Sequence, residues 1–139
     1  MQRPPCTPDN SILETDLELA AKLDMIASLQ INETERGFYL TATFDQPTKA
    51  MRKIQDIGLK AMAQTIEQLA ENPEKVWYLA TRRERHSPRL HRHLGRLNDF
   101  MREKYPTEAV ILLRNQTWPG KAVVRTRGAR AKQSRQQAN

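Results

Sequence analysis

Three consecutive stretches decide the expected fold: LELAAKLDMIASLQI at residues 17–31, NETERG at 32–37 and FYLTATF at 38–44. Every odd position from Leu17 to Ile31 is apolar, which is the period of a strand with one buried face. The same residues include good helix formers, so a helix is the alternative, but the alternation outweighs propensity. Because residues 38–44 alternate as well and the linking segment ends in Gly37, the sequence predicts an antiparallel hairpin.

Downstream of the hairpin, apolar residues recur at helical spacing from Thr48 to Asn72, which predicts a helix with one buried stripe. Residues 76–81 form a short, strongly apolar run that is typical of a strand. Trp77 and Tyr78 are adjacent on this strand, so we expect them on opposite faces, at least one of them buried.

A second helix is predicted to begin at Ser87, because serine is a favoured N-cap and Pro88 suits the first helical position. Its expected buried stripe consists of Leu90, Leu94, Leu97 and Met101. Residues 108–113 and 121–126 predict two further strands, joined by a loop through Trp118.

The predicted order is therefore β-β-α-β-α-β-β, an α+β fold with a small mixed or antiparallel sheet and two helices packed on it. The 139 residues suit a single domain. We expect a flexible segment at residues 1–12, the domain at 13–126 and a flexible basic tail at 127–139. The tail has no aliphatic residue larger than alanine, so it cannot bury enough apolar surface to order itself.

Several classes of protein are disfavoured by composition. The longest apolar run, residues 109–113, is far shorter than a membrane-spanning helix. No signal-peptide core is present, and the single cysteine, Cys6, cannot form an internal disulfide. A glycine-rich phosphate loop and a nucleophile elbow are both lacking. We therefore expect a cytoplasmic protein with no membrane contact, no catalytic residue, no cofactor and no metal.

The net charge of +7 is distributed unevenly. Residues 1–36 carry a net charge of −4, residues 37–75 a net charge of 0 and residues 76–139 a net charge of +11. A concentrated positive charge favours a polyanionic partner. The expected partner is a nucleic acid, DNA in preference to RNA, and a protein partner or a homodimer is the alternative.

Six arginines occupy fifteen residues around the predicted helix start, where Arg89, Arg92 and Arg96 would share one solvent-facing side. A phosphate bound there would meet both guanidinium groups and free backbone N–H groups. Trp118, beside Arg114 and Lys121, is the expected base-stacking residue. The candidate nucleic-acid-binding residues are Arg82, Arg83, Arg85, Arg89, Arg92, Arg96, Arg114, Trp118, Lys121, Arg125, Arg127, Arg130, Lys132 and Arg135.

Three other interpretations compete with nucleic-acid binding. In the first interpretation, the arginines are ordinary solvated side chains. In the second, the chain is an inhibitor or adaptor that docks on a larger machine through its charged surfaces or a sheet edge. In the third, it is a nuclease that uses either the histidines or a metal held by carboxylates of the first strand. The residues in question are His86, His91, His93, Asp16, Glu18 and Asp24.

Two family resemblances bear on these interpretations. Residues 84–93 resemble the His-x-His motif of rolling-circle replication and relaxase nucleases, and residues 38–44 are similar to their first strand motif. The middle residue is Arg92 in a helical pattern, however, where those families have an apolar residue on a strand. Residues 38–105 are similar to phage NinB-type recombination mediators, which implies binding of single-stranded DNA. That similarity covers about half the chain and depends on few residues, so neither resemblance assigns a family.

Overall fold

The computed structural model describes residues 4–45 and 60–120, with side chains from residue 63 onward in the second range. Five strands and three helices occupy these residues after a 3-10 turn at Pro8–Asn10. They are β1 (Ser11–Leu13), α1 (Glu14–Lys22), β2 (Ile26–Thr34), β3 (Gly37–Phe44), α2 (Lys60–Ala70), β4 (Trp77–Ala80), α3 (Leu94–Lys104) and β5 (Ile111–Leu113).

The five strands form one mixed sheet in the order β1-β4-β3-β2-β5. The predicted hairpin is confirmed, since β2 pairs antiparallel with β3 from Ile26–Phe44 to Thr34–Gly37. Central β3 is also antiparallel to β4, whereas edge strands β1 and β5 run parallel to β4 and β2. The α+β class with a small mixed sheet is thus confirmed, with three described helices instead of two.

The prediction that the first strand begins at Leu17 is wrong, because residues 14–22 form helix α1. Leu17 and Ala20 are three residues apart and both are buried, as expected for one helix face, whereas the even position of Ala20 does not fit the alternation. The helix ends in a Schellman motif, with Met25 N donating to Ala20 O over 3.0 Å. Asp24 takes the left-handed conformation that this motif needs, at φ 57°. The alternation that predicted one strand therefore spans a helix, a cap and a strand.

All three helices pack on one face of the sheet, which we call the helix face. Strand residues such as Leu29, Leu40 and Leu79 form the core there together with Leu17 of α1, Ile66 of α2 and Leu97 of α3. Each is less than 4% exposed. Since apolar burial contributes about 25 cal/mol per Å², this layer is the main source of stability.

The opposite face, which we call the tyrosine face, carries Tyr39 and Tyr78, whose ring centroids are 5.9 Å apart. Short irregular segments cover it instead of helices. Cys6 of the N-terminal segment is buried against both tyrosines, and Trp118 packs beside them. As predicted, Trp77 and Tyr78 point to different faces, and both are buried.

A chain of hydrogen-bonded polar side chains crosses β2 and β3 on the tyrosine face. The Asn32 amide donates to Thr41 Oγ1 over 3.0 Å, and the Thr41 hydroxyl donates to Gln30 Oε1 over 2.6 Å. The Gln30 amide donates in turn to Ser28 Oγ, which lies 2.6 Å from Thr43 Oγ1. These bonds offset the cost of burying Asn32 and Thr41, which are 0% and 1% exposed.

The N-terminal segment differs from the prediction that residues 1–12 are unpacked. From residue 4 onward it lies on the sheet: Tyr78 Oη donates to Pro4 O over 2.6 Å, and Cys6 N donates to Pro119 O over 3.0 Å. Residues 11–13 form edge strand β1, a strand the sequence did not predict. Backbone pairing to β4 and burial of Ser11 and Ile12 identify it, and neither leaves a periodic signal in three residues.

Three further predictions meet the limits of the described residues. The first part of the predicted helix, residues 48–59, lies outside them, while residues 60–70 are helical as expected. The predicted strand at 121–126 and the basic tail at 127–139 also lie outside. The described chain ends at Gly120 beside Ser87, on the β1–β4 side of the sheet, whereas β5 is at the opposite edge.

Candidate nucleic-acid interface

Strand direction brings the loops that carry most of the arginines to one end of the sheet. Strands β1, β2, β4 and β5 all run the same way, so their carboxyl ends share the end at which antiparallel β3 begins. The loops that follow these strands include Arg36, Arg82, Arg83 and Arg114. Helices α1 and α3 also start there, and their N-termini carry positive partial charge. We call this region the arginine end.

Five arginine side chains at the arginine end are exposed and have no partner among the described residues. Within residues 4–45 and 60–120, none of their guanidinium groups forms a hydrogen bond or ion pair with another described residue. Positive side chains on the loops and helix start at one end of a sheet create a positive potential there, which attracts a polyanion. They are Arg82, Arg83, Arg92, Arg96 and Arg114.

Two of the predicted phosphate-binding arginines also form contacts within the fold. Arg85 Nε donates to Ser11 Oγ over 2.7 Å and its Nη2 donates to Ser11 O over 2.8 Å, which fixes the loop after β4 to strand β1. Arg89 lies 3.2 Å from the Glu14 carboxylate and 5.5 Å from the centre of the Phe100 ring. Both guanidinium groups are thus engaged by the protein itself.

The predicted helix start at Ser87 is wrong, because α3 begins seven residues later at Leu94. Strands β3 and β4 pair at only two positions, and residues 89–91 fill the gap between them as they separate. Arg89 N donates to Leu79 O over 2.8 Å, and His91 exchanges two backbone hydrogen bonds with Phe38. These long-range bonds outcompete the local N-cap signal.

The three arginines expected on one helical face are consequently separated. Arg89 and Arg92 lie in the irregular segment before α3, and only Arg96 is on the helix. Of the predicted helical stripe, Leu97 and Met101 are buried, whereas Leu94 is 37% exposed. The positive charge lies on three loops and at one helix start, not on one helix face.

The histidines do not form a metal site within the described residues, where no group of three potential ligands is found. The segment around Arg92 is extended, not helical, with His93 at φ −125° and ψ 113°. His91 is half-buried against Phe100, at 6.2 Å between ring centres. Burial, and secondly the charge of Arg89, lower the pKa of His91 to about 4, so its imidazole is neutral at pH 7. His86 and His93 are exposed.

The carboxylates considered for a metal site also lie elsewhere than expected. Asp16 and Glu18 are on helix α1 instead of a strand, and Asp24 is in the turn that ends the helix. Glu18 lies 3.5 Å from the ammonium group of Lys104. The side chains are therefore distributed around α1, where a strand would have aligned them.

Trp118 is half-buried, not fully available for stacking. Its ring meets Tyr39 edge to face with 5.7 Å between centres, and the guanidinium carbon of Arg36 lies 5.9 Å from its ring centre. Arg36 was absent from the predicted set. Its position between Glu35 and Gly37 in a hairpin turn is the signal that places it at the end of the sheet.

Six predicted binding residues lie outside the described residues: Lys121, Arg125, Arg127, Arg130, Lys132 and Arg135.

Comparisons of the chain with protein-family models, with curated proteins and with solved structures find no match. None of the described helices has the length and apolar character needed to cross a membrane.

Proposed function

We propose that the protein is a non-enzymatic nucleic-acid-binding accessory factor, of the type that serves DNA replication, recombination or transfer. Its phosphate contacts are made by the exposed arginines of the arginine end, aided by the basic residues 127–135. The observation that supports this most directly is the set of five exposed guanidinium groups at one end of the sheet with no partner among the described residues.

The start of helix α3 adds to the attraction for phosphate. Its N-cap, His93, makes no side-chain capping bond, and the first turn contains no acidic residue. Free backbone N–H groups at a helix start attract anions, and Arg96 in that turn raises the local positive potential. A phosphate bound here would offset the unfavourable pairing of a cation with the positive end of the helix.

Salt dependence of binding tests this proposal. Fluorescence anisotropy of a labelled oligonucleotide should show log affinity falling linearly with log salt, since each neutralised phosphate releases bound counterions. Arg96→Gln should lower affinity and reduce the slope by about 0.7 for a single strand. Arg102→Gln is the matched control, because Arg102 is exposed in the last turn of the same helix, away from the arginine end.

Equal losses in the two variants would show that binding depends on overall charge and not on this end of the sheet. Affinity that does not change with salt would overturn the proposal. Binding that weakens in Arg96→Gln and persists in Arg102→Gln would support it.

A second candidate function, docking on a protein, is favoured by the edge strand β5. Val110 and Ile111 are 36% and 50% exposed, and β5 pairs with β2 alone among the described strands. An exposed apolar edge is a template for strand addition by a partner. Ile111→Lys should abolish capture of a stoichiometric protein partner that survives nuclease treatment, while leaving oligonucleotide binding unchanged. Capture unaffected by Ile111→Lys would contradict it.

A further inference from the structure

A cleft opens at the arginine end between the turn of the β2–β3 hairpin and the loop that follows β5. Its volume is about 700 Å³, within the range of small-molecule binding sites. Residues 33–36 form one wall, and residues 115–118 with Gly120 form the other. The cleft is distinct from the exposed arginines, although Arg114 immediately precedes its second wall.

Both walls of the cleft are held in place by hydrogen bonds. On the hairpin side, Arg36 N donates to Thr34 Oγ1 over 3.1 Å, and that hydroxyl donates to Gly37 O over 2.9 Å. The second wall is joined to the first because Gln116 N donates to Glu33 O over 2.8 Å. A preformed cleft loses little conformational entropy when a ligand enters.

The far end of the second wall is fixed by close packing. A Cβ atom added to Gly120 would lie 2.7 Å from the Ser87 Cα atom, so only glycine fits there. The preceding carbonyl, that of Pro119, accepts a hydrogen bond from Cys6 N. Trp118 is therefore held between two anchored segments, which keeps its ring at the cleft.

The cleft offers stacking surfaces for a flat ring. Tyr39 supports the Trp118 indole edge to face, and the Arg36 guanidinium lies 5.9 Å from its centre. Unpaired bases stack on aromatic rings and on guanidinium planes, and both surfaces line this cleft. Stacking on an aromatic residue contributes about 1–3 kcal/mol per base in single-strand binding, so the part of the half-buried indole that lines the cleft is the expected floor.

The charges in the cleft select the part of a nucleotide that fits. Among the described residues, Glu33 and Glu35 line the cleft with Arg36 as the one cation, so the described part of the lining carries a net charge of −1. A phosphate is disfavoured inside, whereas a neutral ring with N–H donors is favoured by the carboxylate acceptors. Guanine presents two adjacent donors, N1–H and the N2 amino group, which match the two oxygens of a carboxylate.

We infer that this cleft binds an unpaired nucleobase, with guanine preferred, while the backbone of the same strand follows the exposed arginines. The inference rests on the proposed function and adds to it the kind of ligand, which is a single strand. Arg114 directly precedes the lining residue Asn115 and is exposed, so it is the residue expected to contact the phosphate attached to the bound nucleoside.

Quenching of tryptophan fluorescence by free mononucleotides tests the cleft separately from polyanion binding. The protein has two tryptophans, and Trp77 is only 8% exposed, so quenching reports on Trp118. Guanosine monophosphate should bind about tenfold or more tightly than the adenosine, cytidine and uridine monophosphates, as expected for one bidentate contact. Trp118→Phe should remove the signal.

A double variant in the cleft and a control variant outside it separate loss of the guanine contact from loss of folding. Glu33→Gln with Glu35→Gln should abolish the preference for guanine and retain salt-dependent binding of oligonucleotides. Glu108→Gln, at an exposed acid outside the cleft lining, should retain both. Binding of each of the four bases is also compared between single-stranded oligonucleotides, where the base is unpaired, and duplexes, where it is paired.

Three results are distinguishable. Guanine preference that is lost in the double variant supports the inference. Equal or absent mononucleotide binding, together with salt-dependent oligonucleotide binding, overturns the cleft assignment and leaves the proposed function in place. Guanine-selective binding without any affinity for oligonucleotides overturns the proposed function and supports the cleft as a site for free nucleotides.

Discussion

Arginines that are close in sequence have different roles in this protein. Arg82 and Arg83 are exposed and available to a ligand, whereas Arg85 donates two hydrogen bonds to Ser11 and is part of the fold. A charge count treats these residues alike. Which guanidinium groups are available depends on partners distant in sequence, so the available set is visible only in three dimensions.

At this scale His91 provides a prediction about pH. Burial first, and then the charge of Arg89, lower its pKa from 6.5 to about 4. The unfolded chain takes up this proton as pH falls from 6.5 toward 4 while the folded chain does not, so stability decreases over that window. We expect the urea midpoint to fall between pH 7 and pH 5, and His91→Gln to reduce that fall.

His93→Gln is the control, because His93 is exposed at the start of the same helix. It should lose as much stability on acidification as the unmodified protein. A pH dependence that is unchanged in His91→Gln would contradict the assignment of this effect to His91.

At the scale of elements, the hairpin turn and the segment before α3 depend on a glycine. Gly37 has φ 138°, and a Cβ atom there would lie 2.7 Å from the His91 carbonyl oxygen, which accepts the hydrogen bond from Phe38. Gly37→Ala should therefore destabilise the protein by about 1–3 kcal/mol. Denaturant unfolding measures this change.

A glycine on helix α3 provides the contrasting substitution. A Cβ atom at Gly95 would meet nothing within 4 Å, so Gly95→Ala should stabilise the protein by up to about 1 kcal/mol through helix propensity.

If Gly37→Ala were as stable as the unmodified chain, the packing of His91 against the hairpin would have to be looser than described.

Elements were predictable where one local pattern had no competitor. The hairpin satisfied both strand alternation and a turn glycine, and it is confirmed. The pattern from Leu17 to Ile31 failed in its first third because a helix also buries residues three apart. Ser87 failed as a helix start because backbone bonds from residues 89–91 to two strands cannot be read from local sequence.

At the scale of the whole molecule, the sequence predicted the concentration of positive charge but not how it is arranged. The arginine end exists because four strands finish where β3 begins, and strand order is set by long-range pairing. The cleft was not predicted for the same reason. Its two walls are separated by about eighty residues in sequence and are joined by a bond from Gln116 to Glu33.

The balance of charge between the two parts of the chain leads to a further prediction. Residues 121–139 contain six basic residues and no acidic one, so they account for +6 of the net charge of +7. Replacing Arg127, Arg130, Lys132 and Arg135 by Gln in the full chain should reduce the salt slope for a single strand by up to about 3. Anisotropy titrations at several salt concentrations measure this slope.

The preference for guanine should survive those four substitutions, because the cleft is formed by other residues. A slope that does not change would assign all phosphate contacts to the rest of the chain. Complete loss of oligonucleotide binding would assign them to the substituted residues instead.

The only cysteine of the chain has a practical consequence. Burial, with a smaller contribution from Glu84, raises the pKa of the Cys6 thiol to about 12, so hardly any reactive thiolate is present at neutral pH. Its side chain points into the tyrosine face, and its segment is held on the sheet by the hydrogen bonds from Tyr78 Oη to Pro4 O and from Cys6 N to Pro119 O. The rate at which a maleimide dye labels Cys6 therefore measures how often the N-terminal segment lifts off the sheet, and the native protein carries its own reporter of local opening.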